Sequence, residues 1–571
     1  MMIFLKSLIG SNRSESLFLQ GKEQLRHKQA FTEKVVCIGC ELIVSVLEQL
    51  AQVHNSSSQK AMELLCSYLP EEEGIRGICT LIAEVFGPDI IKLLNYRLNA
   101  DVICHAMKLC NTESQEQVCH LYKKPVIGLK KSIKLAEKLI MKPGYRKIMK
   151  KVSGVLIKSC SLPVFRNICN AIFSAHPAED FDQDLFSALP TLRGYDWRGR
   201  DCNDLDKSVY PGKRPTDWDA VYDSNCNGIW GFDPEDGIPY EKKFCEGTEA
   251  KGIVILGDSA AAHFHIPPEW LTPMQMSKDT FSNMVLAFSN ELDWPQFSMF
   301  TGFQNSTIGG LTHSLYLKLR EWNRCNHRDY QNISKNGGST GNLKNYLESL
   351  ARTYEIDKPL IVFYGLIGND VCNGHRDTMQ HMTTPEEMKA NVMADLSYLD
   401  AHLPNGSHVI LMSLADGRFL WDSLHNRYHP IGQLNMDVTY AQFYNFLSCL
   451  SINPCEGWMN RNETLRNLTT ERAEQLSKVL EEITASKNFS HFELSYFEKL
   501  YNKVISKWES LGGKPWMLLE PVDGFHPNQI ASAVGADLLW EEAILRWPGL
   551  FGKQNYFNKQ IIAKFGDQGG H

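Results

Sequence analysis

Six cysteines crowd between residues 37 and 110 of this chain, at 37, 40, 66, 79, 104 and 110. A segment this short carries too little apolar side chain to hold a fold comfortably by burial alone, and covalent cross-links supply what the core lacks. Ten further cysteines follow, at 119, 160, 169, 202, 226, 245, 325, 372, 449 and 455, making sixteen in all. Usage at this density, without the repeated paired spacings of zinc ligands, predicts disulfides and a compartment that permits them. Eight Asn-x-Ser/Thr triplets, at Asn12, Asn55, Asn305, Asn332, Asn405, Asn462, Asn467 and Asn488, predict a glycoprotein of the same compartment. Spacing by itself leaves the cysteine pairing open.

Residues 35–115 read as helical between the cysteines. Ile43, Val46, Leu47, Leu50 and Val53 share one helical face, and Ile90, Leu93 and Leu94 share another. The expectation is a small all-α, disulfide-bonded domain. Residues 1–34 are an atypical leader: the short apolar run before Gly10 holds a lysine and lacks a small-residue cleavage site, and residues 11–34 are polar and charged. No other run has the length of apolar residues a membrane span needs, so the chain is expected to be soluble or peripheral.

Hydrophobic residues make up 43% of the 571 and charged residues 22%, the balance of a globular chain with several domains. A formal charge of −7 supplies no global basic field, so nucleic acid is not an expected partner. Charge is uneven locally. Residues 120–158 hold twelve Lys or Arg against the single acid Glu137, so 116–158 reads as a solvated basic linker, partly helical and open to proteolysis.

Residues 159–250 are irregular and rich in Asp, Asn and Gly. Calcium takes six to eight oxygens in flexible geometry, which short loops of this composition provide. Asp223-x-Asn225-x-Asn227-Gly228 matches the first positions of a calcium loop, with the Ile229 carbonyl next and Asp233 or Asp236 to close the shell, because the usual terminal glutamate is absent. Asp180, Asp182 and Asp184 repeat the alternation, and Asp201, Asn203, Asp204 and Asp206 form a third cluster. A structural Ca²⁺ is the expected cofactor.

From 251 to 571 the pattern becomes strand, turn, helix. Residues 253–256, 360–367, 408–414 and 516–519 are short apolar runs of the kind buried in a parallel sheet, and 531–547 reads as a closing helix. A doubly wound α/β domain would put reactive groups at the carboxyl ends of its strands. Ser259 follows the first run directly, in Leu256-Gly257-Asp258-Ser259. A serine hydroxyl becomes nucleophilic beside a histidine base that a carboxylate orients, with donors ready for the oxyanion. Asp523-Gly-Phe-His526 offers the acid and base from one turn, and Asn369 in Gly368-Asn-Asp370 offers an amide. A competing nucleophile is Ser339, since residues 337–341 match Gly-x-Ser-x-Gly, but the polar stretch before it is not the strand that such an elbow needs. His263 and His265 read as packing, hydrogen-bonding or substrate-contact residues.

These motifs carry two resemblances. The Cys-x-x-Cys opening, central pair and closing cysteines resemble a saposin B-type domain, which implies Cys37 with Cys110, Cys40 with Cys104 and Cys66 with Cys79, and amphipathic helices that take up lipid. The Gly-Asp-Ser, Gly-Asn-Asp and Asp-x-x-His blocks, in that order, resemble the SGNH or GDSL-type hydrolases. That resemblance implies a flavodoxin-like sheet, Ser259, Asp523 and His526 as the triad, and Ser259, Gly337 and Asn369 around the oxyanion. Ala261 stands where that pattern has a glycine, a change expected to narrow the mouth of the site.

The whole order of modules is similar to that of two-subunit hydrolases acting on bacterial lipopolysaccharide. Stretches that carry the likeness include 190–195, 325–330, 425–429, 520–527 and the terminal Gly-Asp-Gln-Gly-Gly-His571. It implies a secreted or lysosomal carboxyl-ester hydrolase that removes secondary acyl chains from lipid A, acts also on phospholipid aggregates, and meets micelles or membranes through its saposin module. A general phospholipase or lysophospholipase and a non-catalytic lipid-binding protein are the alternatives. It further implies cleavage in the linker, leaving subunits joined by Cys119–Cys449, and pairs Cys160–Cys169, Cys202–Cys226, Cys245–Cys325 and Cys372–Cys455.

Overall fold

The computed structural model describes residues 21–71, 74–110, 118–140 and 170–571. Helices α1 (Gly21–Val53), α2 (Ser58–Tyr68), α3 (Ile75–Asn95) and α4 (Ala100–Ala106) build the N-terminal module. Ser57 and Asn99 cap α2 and α4 by accepting from the amides of Lys60 and Val102. Cys37–Cys110 and Cys40–Cys104 bind α1 to the α4 region, and Cys66–Cys79 binds α2 to α3. Val46, Leu47, Leu50, Leu93, Val102 and Ile103 are buried between the helices. Ile43 and Val53, expected on the core face, stay 39% and 38% exposed, because the module covers only part of that face.

The membrane expectation needs correction on one point. Residues Glu33–Val53 of α1 are long and apolar enough to cross a membrane, by length and composition. Here that helix carries Cys37 and Cys40 into the disulfides and packs in the core of the module.

The basic linker is partly helical, as expected, but departs from expectation in its burial. Within 118–140 it is folded rather than solvated: α5 (Leu129–Leu139) packs on α4, and Leu121, Leu129, Ala136 and Ile140 are buried. The reason is amphipathic, since the lysines of α5 keep to the outer face while Ala136 and Leu129 turn inward. The Asp101 carboxylate accepts from the amides of Leu121 and Tyr122 at 2.7 and 2.9 Å, fastening the strand of linker to the module. Residues 141–158 and the pair Cys160–Cys169 lie outside the described residues.

The second unit is built on a five-stranded parallel sheet: β1 (Gly252–Gly257), β2 (Tyr330–Asn332), β3 (Leu360–Gly365), β4 (Ser407–Met412) and β5 (Phe492–Phe497), in the order β2-β1-β3-β4-β5. Val254, Leu256, Val362, Tyr364, Val409 and Leu411 face one core, and Ile253, Ile255, Ile361, Phe363, Ile410 and Met412 face the other. Both faces are therefore buried, which is why the central strands read as unbroken apolar runs. Helices Pro385–His402 and Glu463–Ser486 cover the first face; Leu500–Ser510 and Gln529–Arg546 cover the second.

Two strand assignments change. The run 516–519 lies largely in a 3₁₀ turn, Pro515–Leu518, because Pro515 has no amide for a ladder and suits the first position of a helix. The edges are β2 and β5, whose sequences are too polar to read as buried strands: Gln331 and Asn332 in one, Glu493 and Ser495 in the other.

The module docks on the first face. Gln49 Nε2 donates to the Ile431 carbonyl at 2.5 Å, and Cys119 is bonded to Cys449 across a sequence separation of 330. Cys202–Cys226, Cys245–Cys325 and Cys372–Cys455 complete the described disulfides. Chance triplets are expected to leave about half of the eight Asn-x-Ser/Thr positions unused, and Asn332 is one of these: it is 1% exposed, with its amide donating to Ala261 O and Thr301 Oγ1, and no glycan fits there in the folded chain.

Candidate active site

Strand β1 ends at Gly257 and the chain turns at once into the short helix Ser259–Ala262. The turn is tight: a Cβ at Gly257 would stand 2.5 Å from Ala261 Cβ and 2.7 Å from Ser334 Oγ. Asp258 clamps it. One carboxylate oxygen accepts from Ala260 N and the other from Ile367 N, both at 3.0 Å, joining the turn to the end of β3. Burial pushes this carboxyl up to about 6. Its structural job was not legible from the motif.

The neighbouring loop brings His526 Nε2 to 2.7 Å from Ser259 Oγ, and His526 Nδ1 to 2.5 Å from Asp523 Oδ2. Asp523 Oδ1 also accepts from the amides of Phe525 and His526, so the carboxylate is held on both sides. Ser259, Asp523 and His526 are all buried, and the Phe264 ring lies 4.6 Å from that of His526. Asn369 lines the same cleft, with its amide donating to Gly338 O at 3.0 Å. Gly337 is buried two residues beyond Lys335, whose amide bonds Gly257 O, but does not itself line the cleft. A cleft opens from Ser259 between apolar walls that include Ala415, Phe419, Trp458, Tyr501, Ile505 and Leu518.

Ser339 sits in a turn, with its amide donating to Asn342 Oδ1, well after β2 has ended. His263 bonds Ser532, and His265 bonds Glu520. Ala261 is a correction: it is buried in the core behind the sheet and does not narrow the mouth.

In the acidic segment the Oδ2 atoms of Asp182, Asp184 and Asp201 are buried without a hydrogen-bond partner. These three carboxylates converge within 4.8 Å, as do those of Asp180, Asp182 and Asp204. Burial, with neighbouring acids adding to it, pushes Asp184 up to about 8 and Asp201 up to about 7. The donor-less Oδ2 atoms of Asp182, Asp184 and Asp201 fit a hard cation, while both oxygens of Asp180 and of Asp204 also accept from backbone amides. Asn203 and Asp206 depart from the expected cluster, since both are exposed and the Asp206 carboxylate turns to Ser208.

The Asp223 loop closes differently from expectation. Asp223 accepts from the amides of Asn227 and Gly228, and the side chains of Asn225 and Asn227 donate to Glu241 at 3.2 and 2.9 Å. Asp233 and Asp236 instead pair with Lys243, at 2.5 and 2.8 Å, and leave the shell. Glu241, on the helix Tyr240–Cys245, was missed because nothing local in sequence ties it to Asp223. Ile229 is buried behind the loop, and Gln568 Nε2 of the C-terminal tail donates to Asn227 O at 2.6 Å.

Residues 36–170 match the model of the saposin-like domain, and residues 253–539 that of the GDSL-like lipase/acylhydrolases. Acyloxyacyl hydrolase of Homo sapiens is 55% identical over 539 residues, 94% of this chain and 93% of that protein. The Mus musculus acyloxyacyl hydrolase is 56% identical with the same coverage. Saposin-C of Cavia porcellus is 27% identical over 81 residues, 14% of this chain.

Proposed function

The chain belongs to the acyloxyacyl hydrolases, carboxylic ester hydrolases of GDSL type, and on that premise we propose that it removes secondary fatty acyl chains from the lipid A of bacterial lipopolysaccharide. The observation that carries the reading is the hydrogen-bonded line from Asp523 through His526 to Ser259 at the foot of an apolar cleft. His526 takes the Ser259 proton as the hydroxyl attacks the ester carbonyl, and Asp523 holds the imidazole tautomer and the developing charge. Asn369 turns an amide hydrogen to the oxyanion beside the Ser259 N–H group, whereas Gly337, set back from the cleft, contributes none. The leaving 3-hydroxyl oxygen receives the proton from His526, and water then repeats the attack to release the fatty acid.

The saposin module supports the same substrate. Ile78, Leu81 and Ile82 on α3 are 58%, 60% and 44% exposed, a face that can receive acyl chains drawn from a lipopolysaccharide or phospholipid aggregate. Structural calcium would be held by Asp180, Asp182, Asp184, Asp201 and Asp204, and by Asp223, Asn225, Asn227 and Ile229 with Glu241, where it would order loops outside the sheet and take no part in ester cleavage. The protein acts in a secreted or lysosomal setting, and cleavage in the linker leaves two subunits held by Cys119–Cys449.

The experiment is mass spectrometry of fatty acids released from lipopolysaccharide by the wild type, Ser259→Ala and Ser339→Ala. Release by the wild type and Ser339→Ala but not by Ser259→Ala supports the reading. Release only from phospholipid would replace the substrate, and release by Ser259→Ala would remove the nucleophile.

A further inference from the structure

Apart from the serine site and the acidic segment, one cluster among the described residues gathers nitrogen and oxygen donors on a single short loop. We propose that His375, Asp377 and His381 bind a divalent metal ion of borderline softness, zinc being the type. Asp377 Oδ1 lies 3.3 Å from His381 Nε2, and donor atoms of all three residues fall within 4.8 Å of one another. Ligands on tetrahedral zinc, with bonds of about 2.0–2.1 Å, stand about 3.3–3.4 Å apart. The His381–Asp377 edge is therefore already at ligand spacing, and a donor of His375 lies within 4.8 Å of both.

Charge supports the same occupant. The rings of His375 and His381 stack with centroids 3.8 Å apart and planes 15° apart. Two imidazolium rings so placed would repel, so the stack holds rings that are not both protonated, the form in which imidazole ligates a metal. The one basic side chain of residues 373–383, Arg376, turns away and donates to Cys449 O at 3.1 Å. Two imidazoles and a carboxylate suit zinc or copper, while calcium demands a shell of oxygens. Water completes the coordination.

The position gives the ion a purpose. The loop is tied at its start by Cys372–Cys455 and near its end by Thr383, whose amide and hydroxyl bond Asp370. Its middle rests on Cys449, the residue that joins the hydrolase to Cys119. Bound metal clips the stretch between these anchors, at the joint with the saposin module.

The test uses the full chain saturated with calcium, so that the acidic segment does not compete. Zinc is titrated calorimetrically and cobalt(II) by visible absorption, on wild type, His375→Ala, His381→Ala and, as a control for zinc at the serine site, His526→Ala. The expected result is one zinc equivalent in wild type and His526→Ala, a tetrahedral cobalt spectrum, and at least tenfold weaker binding in each loop variant. Melting temperature measured without zinc should be the same in wild type and the loop variants, with a zinc-induced rise confined to wild type and His526→Ala. Equal binding by wild type and His375→Ala would reduce the cluster to an ordinary His381–Asp377 ion pair and overturn the proposal. Loss of the equivalent in His526→Ala alone would overturn it as well.

Discussion

His265 Nδ1 and Glu520 Oε2 stand 2.7 Å apart, with both side chains almost wholly buried. His265 follows the nucleophile's helix, while Glu520 anchors the turn that carries the acid and base: its carbonyl accepts from Gly524 N and its amide donates to His526 O. The pair is thus a strut between the two halves of the site. Burial raises the Glu520 carboxyl; burial also opposes charge on His265, but the Glu520 carboxylate outweighs it and raises the ring. Glu520→Ala should cost about 3–5 kcal/mol by leaving a buried partner unmatched, and kcat should fall by about 10²-fold as the turn shifts. His265→Ala together with Glu520→Ala should lose less stability than the two single changes summed. Denaturant melts and kinetics on a soluble ester measure both, and additive losses would show that the pair is not coupled.

Asp523→Asn should lower kcat by about 10⁴-fold while the fold and lipid binding persist. The amide keeps the size of the carboxylate but stabilises the wrong tautomer of His526, which the 2.5 Å contact at present excludes. Activity within tenfold of wild type would mean another group orients the base.

Calcium dependence should itself depend on pH. Folded-state values of about 8 for Asp184 and about 7 for Asp201 lie above the ordinary carboxyl range. The calcium-free folded chain therefore holds protons that the unfolded chain has released, and the associated stability is full below about pH 4 and lost as pH rises through 7 to 8. Chelated protein should melt lower at pH 8 than at pH 5, and added calcium should raise the melting temperature more at pH 8. Asp184→Asn should flatten that difference. A calcium effect of equal size at both pH values would contradict the linkage.

Leu81→Asp with Ile82→Asp should weaken deacylation of aggregated lipopolysaccharide by tenfold or more and leave a short soluble ester almost unaffected. Both residues are exposed on α3, far in sequence from Ser259, and each CH₂ of a chain leaving the aggregate needs about 0.8 kcal/mol of apolar shelter. Equal loss on both substrates would point to a folding role for that face.

Glycopeptide mapping should find Asn332 bare. Its amide is enclosed by Ala261, Ser298 and Thr301, so glycosylation there would block the folding of β2 against β1. Occupied Asn332 in active protein would contradict the register of that edge strand.

Much of this protein is determined by local sequence. The cysteine spacing and apolar faces announce the small helical module; three buried strands read as apolar runs because both of their faces are covered; Ser259, Asn369, Asp523 and His526 stand in motifs where turns follow β1, β3 and the Pro515–Leu518 turn. Edge strands β2 and β5 are not legible as unbroken apolar runs: β2 is three residues of mostly polar side chain, and β5 alternates Phe492, Leu494 and Tyr496 with Glu493 and Ser495, the period-two signature of a strand covered on one side. What only the tertiary structure decided are partnerships across distance. Glu241 rather than Asp233 or Asp236 meets the Asn225 and Asn227 amides, α5 folds onto α4, and Glu520 finds His265 255 residues away. A sequence specifies which side chains want burial or a hydrogen bond, but which one is answered by which depends on the order in which β1, β3, β4 and the covering helices are laid side by side.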